Sequence, residues 1–172
     1  MITEKQKTQL RTALDSAFRN FKTSLLSIDE DRINEVPFEG SWTPAQVTMH
    51  IILATDGVPD RSTAATDRSA DAMLPAIRPW WEDLSKKFQA PGPLLPDSRE
   101  RSQSELISEL DRVHQKDLNI IGEKELSEIC VDFELPTIGY LTRFEWLWFI
   151  EMHLKRHSHQ LKKIHEAFAT RV

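Results

Sequence analysis

Apolar residues recur at three- and four-residue steps through four long stretches of the chain, the spacing that gives a helix one dry face. In the first, Leu10, Leu14, Ala17, Phe18, Phe21, Leu25 and Ile28 fall in phase. In the second, Val47, His50, Leu53, Ala54 and Val58 do so, and in the third Leu106, Leu110, Val113, Asp117 and Ile121. The fourth runs from Arg143 to Ala169. Each stretch is preceded by a Ser or Thr with Glu or Gln three residues on: Thr3 and Gln6, Thr43 and Gln46, Ser102 and Glu105, Thr142 and Glu145. In such a capping box the hydroxyl accepts from the third helical amide, and that residue's side chain returns to the cap's own amide. Pro44 adds a first-position proline, where its missing N–H costs nothing. Lys162, Lys163 and Arg171 are placed to suit the negative end of the last helix.

The second and third helices are separated by residues 59–101, rich in proline, with a short helix expected from Pro79 through Phe88. A connection of this length in a compact domain is a crossover or carries function. The alternation Val131-Asp132-Phe133-Glu134-Leu135-Pro136 predicts an extended stretch too short to make a sheet alone. With no repeat, low-complexity tract or composition break, the pattern predicts an all-α fold. It is a four-helix bundle with a long crossover connection between helices 2 and 3, one domain over residues 1–172.

Composition adds exclusions. The 172 residues are 40% hydrophobic and 28% charged, and 22 basic against 27 acidic side chains leave a net charge of −5. That balance, with no basic patch, argues against nucleic acid as a partner. No run approaches the roughly 18 apolar residues of a membrane span, and the polar N-terminus does not resemble a signal peptide, so a cytoplasmic location is expected. Cys130 is the lone cysteine and reads as a small apolar residue.

The candidate chemistry lies in histidine. Counting about 100° per residue from His153, the residues Trp146, Phe149, Ile150, His157, Gln160, Ile164 and Phe168 all fall within roughly 60° of it. His153 and His157 therefore lie on the stripe that faces the core. A buried imidazole without a partner costs on the order of 1–3 kcal/mol, and a metal ion satisfies two rings at once. A catalytic metal site needs a third protein ligand. His50, mid-helix among Val47, Leu53 and Ala54, is the best candidate, and His114 on the third helix is its competitor, with Asp117 nearby as a carboxylate that could orient a ring. Trp42 is positioned to shield His50, and Gln160 to hydrogen-bond a ligand ring or the substrate. His159 and His165 read as surface, while Glu145 and Glu151 point away from the histidine stripe. Trp80 and Trp81 are candidates to roof the site.

Two of these motifs carry a resemblance. Ser41-Trp42-Thr43-Pro44-Ala45-Gln46-Val47-Thr48-Met49-His50-Ile51 and His153-Leu154-Lys155-Arg156-His157-Ser158-His159-Gln160-Leu161 resemble the second-helix start and last-helix signature of the DinB-like (DinB/YfiT) superfamily of metal-dependent enzymes. The stretch Pro136–Thr142 is similar in kind. The resemblance implies a dimer-forming helical bundle in which His50, His153 and His157 bind a divalent ion such as zinc or nickel, and it makes His114 a weaker candidate. Characterised relatives include thiol-dependent transferases and isomerases that use mycothiol, bacillithiol or glutathione. The expected function is therefore hydrolysis, or thiol-dependent S-transfer, on a small electrophile, with a low-molecular-weight thiol as co-substrate in the second case. The alternative is a non-catalytic bundle that binds a metal or a small ligand.

Overall fold

A computed structural model describes residues 2–170. Among them five α-helices follow in order: α1 Glu4–Leu26, α2 Pro44–Ala54, α3 Leu74–Trp81, α4 Gln103–Glu123 and α5 Arg143–Ala169. Two-residue strands β1 (Thr63–Ala64) and β2 (Ile129–Cys130) pair antiparallel, Thr63 opposite Cys130. Helices α1 and α2 each pack against both α4 and α5, and the short α3 lies against α5. The fold is thus mostly helical with five helices, the short α3 lying in the connection where the sequence pattern expects a short helix.

Thr3, Thr43 and Thr142 form complete capping boxes with Gln6, Gln46 and Glu145. The fourth is half made. Ser102 accepts from the Glu105 amide, but the Glu105 carboxylate pairs with Arg99 instead of turning back. The first turn of α4, which holds Glu105, gains a second acid: the Glu30 carboxylate accepts from the Gln103 amide at 3.1 Å. At the far end of α5, Lys162 and Lys163 lie too far from Ala169 to serve its last turn, which contains no basic residue. Arg32 supplies that cation, donating to the Phe168 carbonyl at 3.0 Å, and Arg171 lies outside the described residues.

Every apolar position expected on α1, and Leu106, Leu110, Val113, Asp117 and Ile121 on α4, is buried. On α2 the picture shifts. Leu53 is 41% exposed, whereas Ile51 and Ile52 are buried. At about 100° per residue the buried arc of α2 covers roughly 220° centred near Ile51. Wedging between α4 and α5 widens the dry face, so His50 sits at its edge and Leu53, about 160° from Ile51, falls in the middle of the exposed side.

The helix expected from Pro79 begins five residues earlier and stops at Trp81. Pro75 occupies the opening position that the sequence pattern assigns to Pro79, and Pro79 lies inside the helix. Downstream, the stretch expected to be extended at 131–136 forms no strand: 131–134 are irregular, and Leu135 and Pro136 enter a turn in which Leu135 pairs with Gly139, whose φ of 104° is reached readily without a Cβ. The strand next to it, β2, finds its partner in the long connection.

Candidate metal centre

The half of α5 that follows Thr142 is buried on nearly all sides, because α1, α2 and α3 all pack against it. His153 emerges there into the contact with α2. His157, one turn later, is partly covered, and His50 arrives from α2. One ligand nitrogen from each of the three lies within 4.8 Å of the other two. The rings pack edge to face, with His50 and His153 centroids 5.1 Å apart and His50 and His157 4.8 Å apart. His50 Nε2 is 3.1 Å from His153 Nε2.

Outer contacts orient two of the rings. His50 Nδ1 donates to the Leu94 carbonyl at 2.8 Å, and His157 Nδ1 donates to Gln160 Oε1 at 2.7 Å. A ring that spends its Nδ1 proton this way turns an Nε2 lone pair inward. Burial pushes all three imidazoles toward the neutral form: His50 below its ordinary value, His157 to about 4, and His153 well below it. Neighbouring imidazoles and the Arg156 guanidinium add to this on His153 and His157, the hydrogen bonds to Leu94 and Gln160 partly oppose it on His50 and His157, and among the described residues no carboxylate contributes to the shift of any of the three. Neutral imidazoles with converging lone pairs are the form and donor type that zinc, nickel and related divalent ions take. The residues fit such an ion. His153 Nδ1 is buried without a partner, as is Trp146 Nε1.

Aromatic side chains enclose the triad. Trp42 lies 5.2 Å from His50, and Trp81 lies 5.0 Å from His153 and 4.5 Å from Phe149. Phe88 stacks on the outer face of Trp81 at 4.9 Å. Of the two tryptophans expected as a roof, Trp81 takes that position and Trp80 turns outward, 54% exposed beneath the Lys86 ammonium.

The competitors are elsewhere. His114 Nε2 donates to Asp15 Oδ1 at 2.8 Å, and its ring stacks on Phe18, both on α1. Asp117 is buried on α4, and the charges that act on it are Lys116 and Asp56. Glu145 and Glu151 avoid the triad as expected, yet both are buried, Glu145 paired with Arg68 and Glu151 with Lys155. His165 is exposed and His159 half-buried. Cys130 is fully buried, which pushes its thiol up to about 12 and leaves it unreactive. Sequence reasoning missed Arg156, which reads as a solvent-facing residue between two histidines, and the Leu94 carbonyl, which has no side-chain signal at all.

Residues 13–161 match the family model of the DinB superfamily. The chain belongs to the DinB superfamily. A crystal structure of a protein assigned to the DinB family, from Exiguobacterium sibiricum 255-15, superposes with a TM-score of 0.57 at 15% identity. The match covers 100% of this chain and 97% of that one, and supports the shared fold. No curated protein matches the chain. No helix among the described residues is long and apolar enough to cross a membrane.

Proposed function

We propose that this DinB-superfamily chain is a metal-dependent enzyme, with α1, α2, α4 and α5 as a four-helix bundle and His50, His153 and His157 as ligands to zinc or nickel. The observation that carries the reading is the convergence of three neutral ring nitrogens within 4.8 Å, two of them fixed from outside by Leu94 and Gln160. A divalent ion with three protein ligands and an open position supplies Lewis acidity, which makes a water or a thiol more acidic. The chain's own part is orientation and dryness. Leu94 and Gln160 fix two rings, while Trp42, Trp81 and Phe149 keep water from the triad.

The reaction is hydrolysis or thiol-dependent S-transfer on a small electrophile. With no carboxylate acting on the rings, neither route has a proton acceptor built in beside them. An ordinary thiol ionises near pH ~8.5 and needs far less help than water, so S-transfer is favoured.

Metal analysis of the purified chain after zinc or nickel loading tests the centre. About one ion per chain is expected, lost in His50→Ala, His153→Ala and His157→Ala with helicity retained. A wild-type chain that takes up no ion sinks the reading. A chain that holds the ion but turns over neither activated esters nor 1-chloro-2,4-dinitrobenzene with glutathione, mycothiol or bacillithiol is a binding protein instead.

A further inference from the structure

The segment that covers the histidines is fastened by one side chain. Arg156, between His153 and His157 on α5, donates from Nη1 to the main-chain carbonyls of Trp81 and Asp83, each at 3.1 Å. Its Nη2 donates to the carbonyl of Lys86. The guanidinium carbon lies 4.7 Å from the Phe88 ring centroid and 5.9 Å from that of Trp81. Phe88 is 44% exposed, so this stack runs from the triad to solvent.

Every hydrogen-bond acceptor of Arg156 is a neutral carbonyl. The carboxylate that acts on it is that of the half-buried Asp83, which partly offsets its charge but accepts its hydrogen bonds from Ser85. A guanidinium has about five N–H donors and three hydrogen bonds are made, so donors remain. The other charges of the centre do not balance it either, since three neutral imidazoles bring none. A half-buried guanidinium that hydrogen-bonds only neutral carbonyls, keeps donors to spare and lies against aromatic faces is the arrangement that receives a planar anion.

We propose that Arg156 is the ligand-recognition residue of this centre and that the ligand is a small aromatic carboxylate. Its carboxylate meets the free guanidinium donors and its ring lies against Trp81, Phe88 and Phe149. Planarity favours a carboxylate, whose two oxygens match a pair of N–H groups. The inference rests on the metal-centre reading for what happens at the ligand's reactive end, whereas recognition of its charge by Arg156 does not need the ion.

The test is calorimetric titration of the full chain with benzoate, benzamide and acetate, in metal-free and zinc-loaded form. Benzoate is expected to bind roughly tenfold or more tightly than benzamide, the scale of one charge-assisted hydrogen bond. It is expected to exceed acetate by a similar factor, and Trp81→Leu should close that second gap. Arg156→Gln should abolish the preference for benzoate over benzamide, and Arg156→Lys should keep part of it. The metal-free wild type separates Arg156 from direct ligation by zinc and requires no variant to fold. Equal binding of benzoate and benzamide there, or no binding of benzoate, overturns the proposal, as does an Arg156→Gln chain that keeps the preference. A chain that takes no zinc but keeps the preference loses the metal centre and retains the Arg156 assignment. Zinc uptake with no charge preference retains the metal centre and removes the Arg156 assignment.

Discussion

Asp117 carries a carboxyl group into the buried face of α4, where neither oxygen makes a hydrogen bond. Burial raises its pKa well above the ordinary value, and the approach of the Gly57 amide and the Lys116 charge only partly offset this. An acid whose folded pKa exceeds its unfolded value, about 3.9, gives stability that is complete below the unfolded pKa and is lost as pH rises through the folded one. The residue therefore costs stability at neutral pH. Asp117→Asn should withstand more urea than the wild type at pH 7, and the difference should shrink toward zero as the pH falls to about 4. A difference that does not change with pH removes Asp117 as its source. Gln160 has the opposite kind of role. Its Oε1 accepts from His157 Nδ1 at 2.7 Å, and partners of this type contribute about 10–100-fold to metal affinity. Gln160→Leu should lower zinc affinity by that order in a chelator competition while the melting temperature of the metal-free chain barely moves. An unchanged affinity would mean that the ring holds its orientation through packing alone. Gln160 was legible from its phase, one turn past His157 on the same stripe. Arg156 was not, because its acceptors are main-chain carbonyls roughly seventy positions earlier.

At the next scale, helix starts were legible because a capping box is closed by side chains three residues apart, and no tertiary partner is needed to write it. Ser102 shows the limit: Arg99 draws the Glu105 carboxylate away from the reciprocal half of the box, and Glu30 from far earlier in the chain accepts from the next amide, that of Gln103. The start of α3 is ambiguous in the sequence because Pro75 and Pro79 send the same first-position signal, and only the contacts decide between them. The deciding contact is at Glu145. Its Oε1 accepts from the Met73 amide at 2.7 Å, just ahead of α3, and its Oε2 accepts from the Thr142 amide at 2.8 Å, at the start of α5. Arg68 donates to both oxygens. One buried carboxylate thus joins two helix starts and the loop between β1 and α3. Glu145→Ala leaves Arg68 uncompensated and two amides unpaired, a change expected to cost about 3–5 kcal/mol. The exposed cap of α1 is a control, since Thr3→Ala should cost only about 1 kcal/mol. Equal losses in denaturant unfolding would show that Glu145 acts only as a local cap.

Over the whole molecule, the candidate centre is also a crosslink. His50 and His153 are 103 positions apart in the chain, on α2 and α5, and His50 reaches on through Nδ1 to Leu94, 44 positions later in the long connection. The three histidines could be nominated from the sequence because each lies on a periodic apolar face. The connection that completes their surroundings was legible only in part: Trp81 was expected as a roof and ends α3, whereas the Leu94 carbonyl and the Phe88 ring are placed by irregular backbone. An ion bound to these nitrogens would bind the folded chain and not the separated segments. It should then stabilise α2, α5 and the connection together by mass action. At a hundredfold excess over its dissociation constant zinc should add about 2.7 kcal/mol, roughly 5–10 °C in melting temperature for a chain of this size. The increment should grow with the logarithm of zinc concentration. His50→Ala should abolish most of it, because that change removes the α2 side of the crosslink and leaves two ligands on one helix. Hydrogen exchange locates the effect: amides of α2 and of residues 92–95 should slow on zinc addition in the wild type and not in His50→Ala. Protection confined to α5 would mean that zinc sits on His153 and His157 alone, and a uniform rise in melting temperature in both chains would place the ion elsewhere on the molecule.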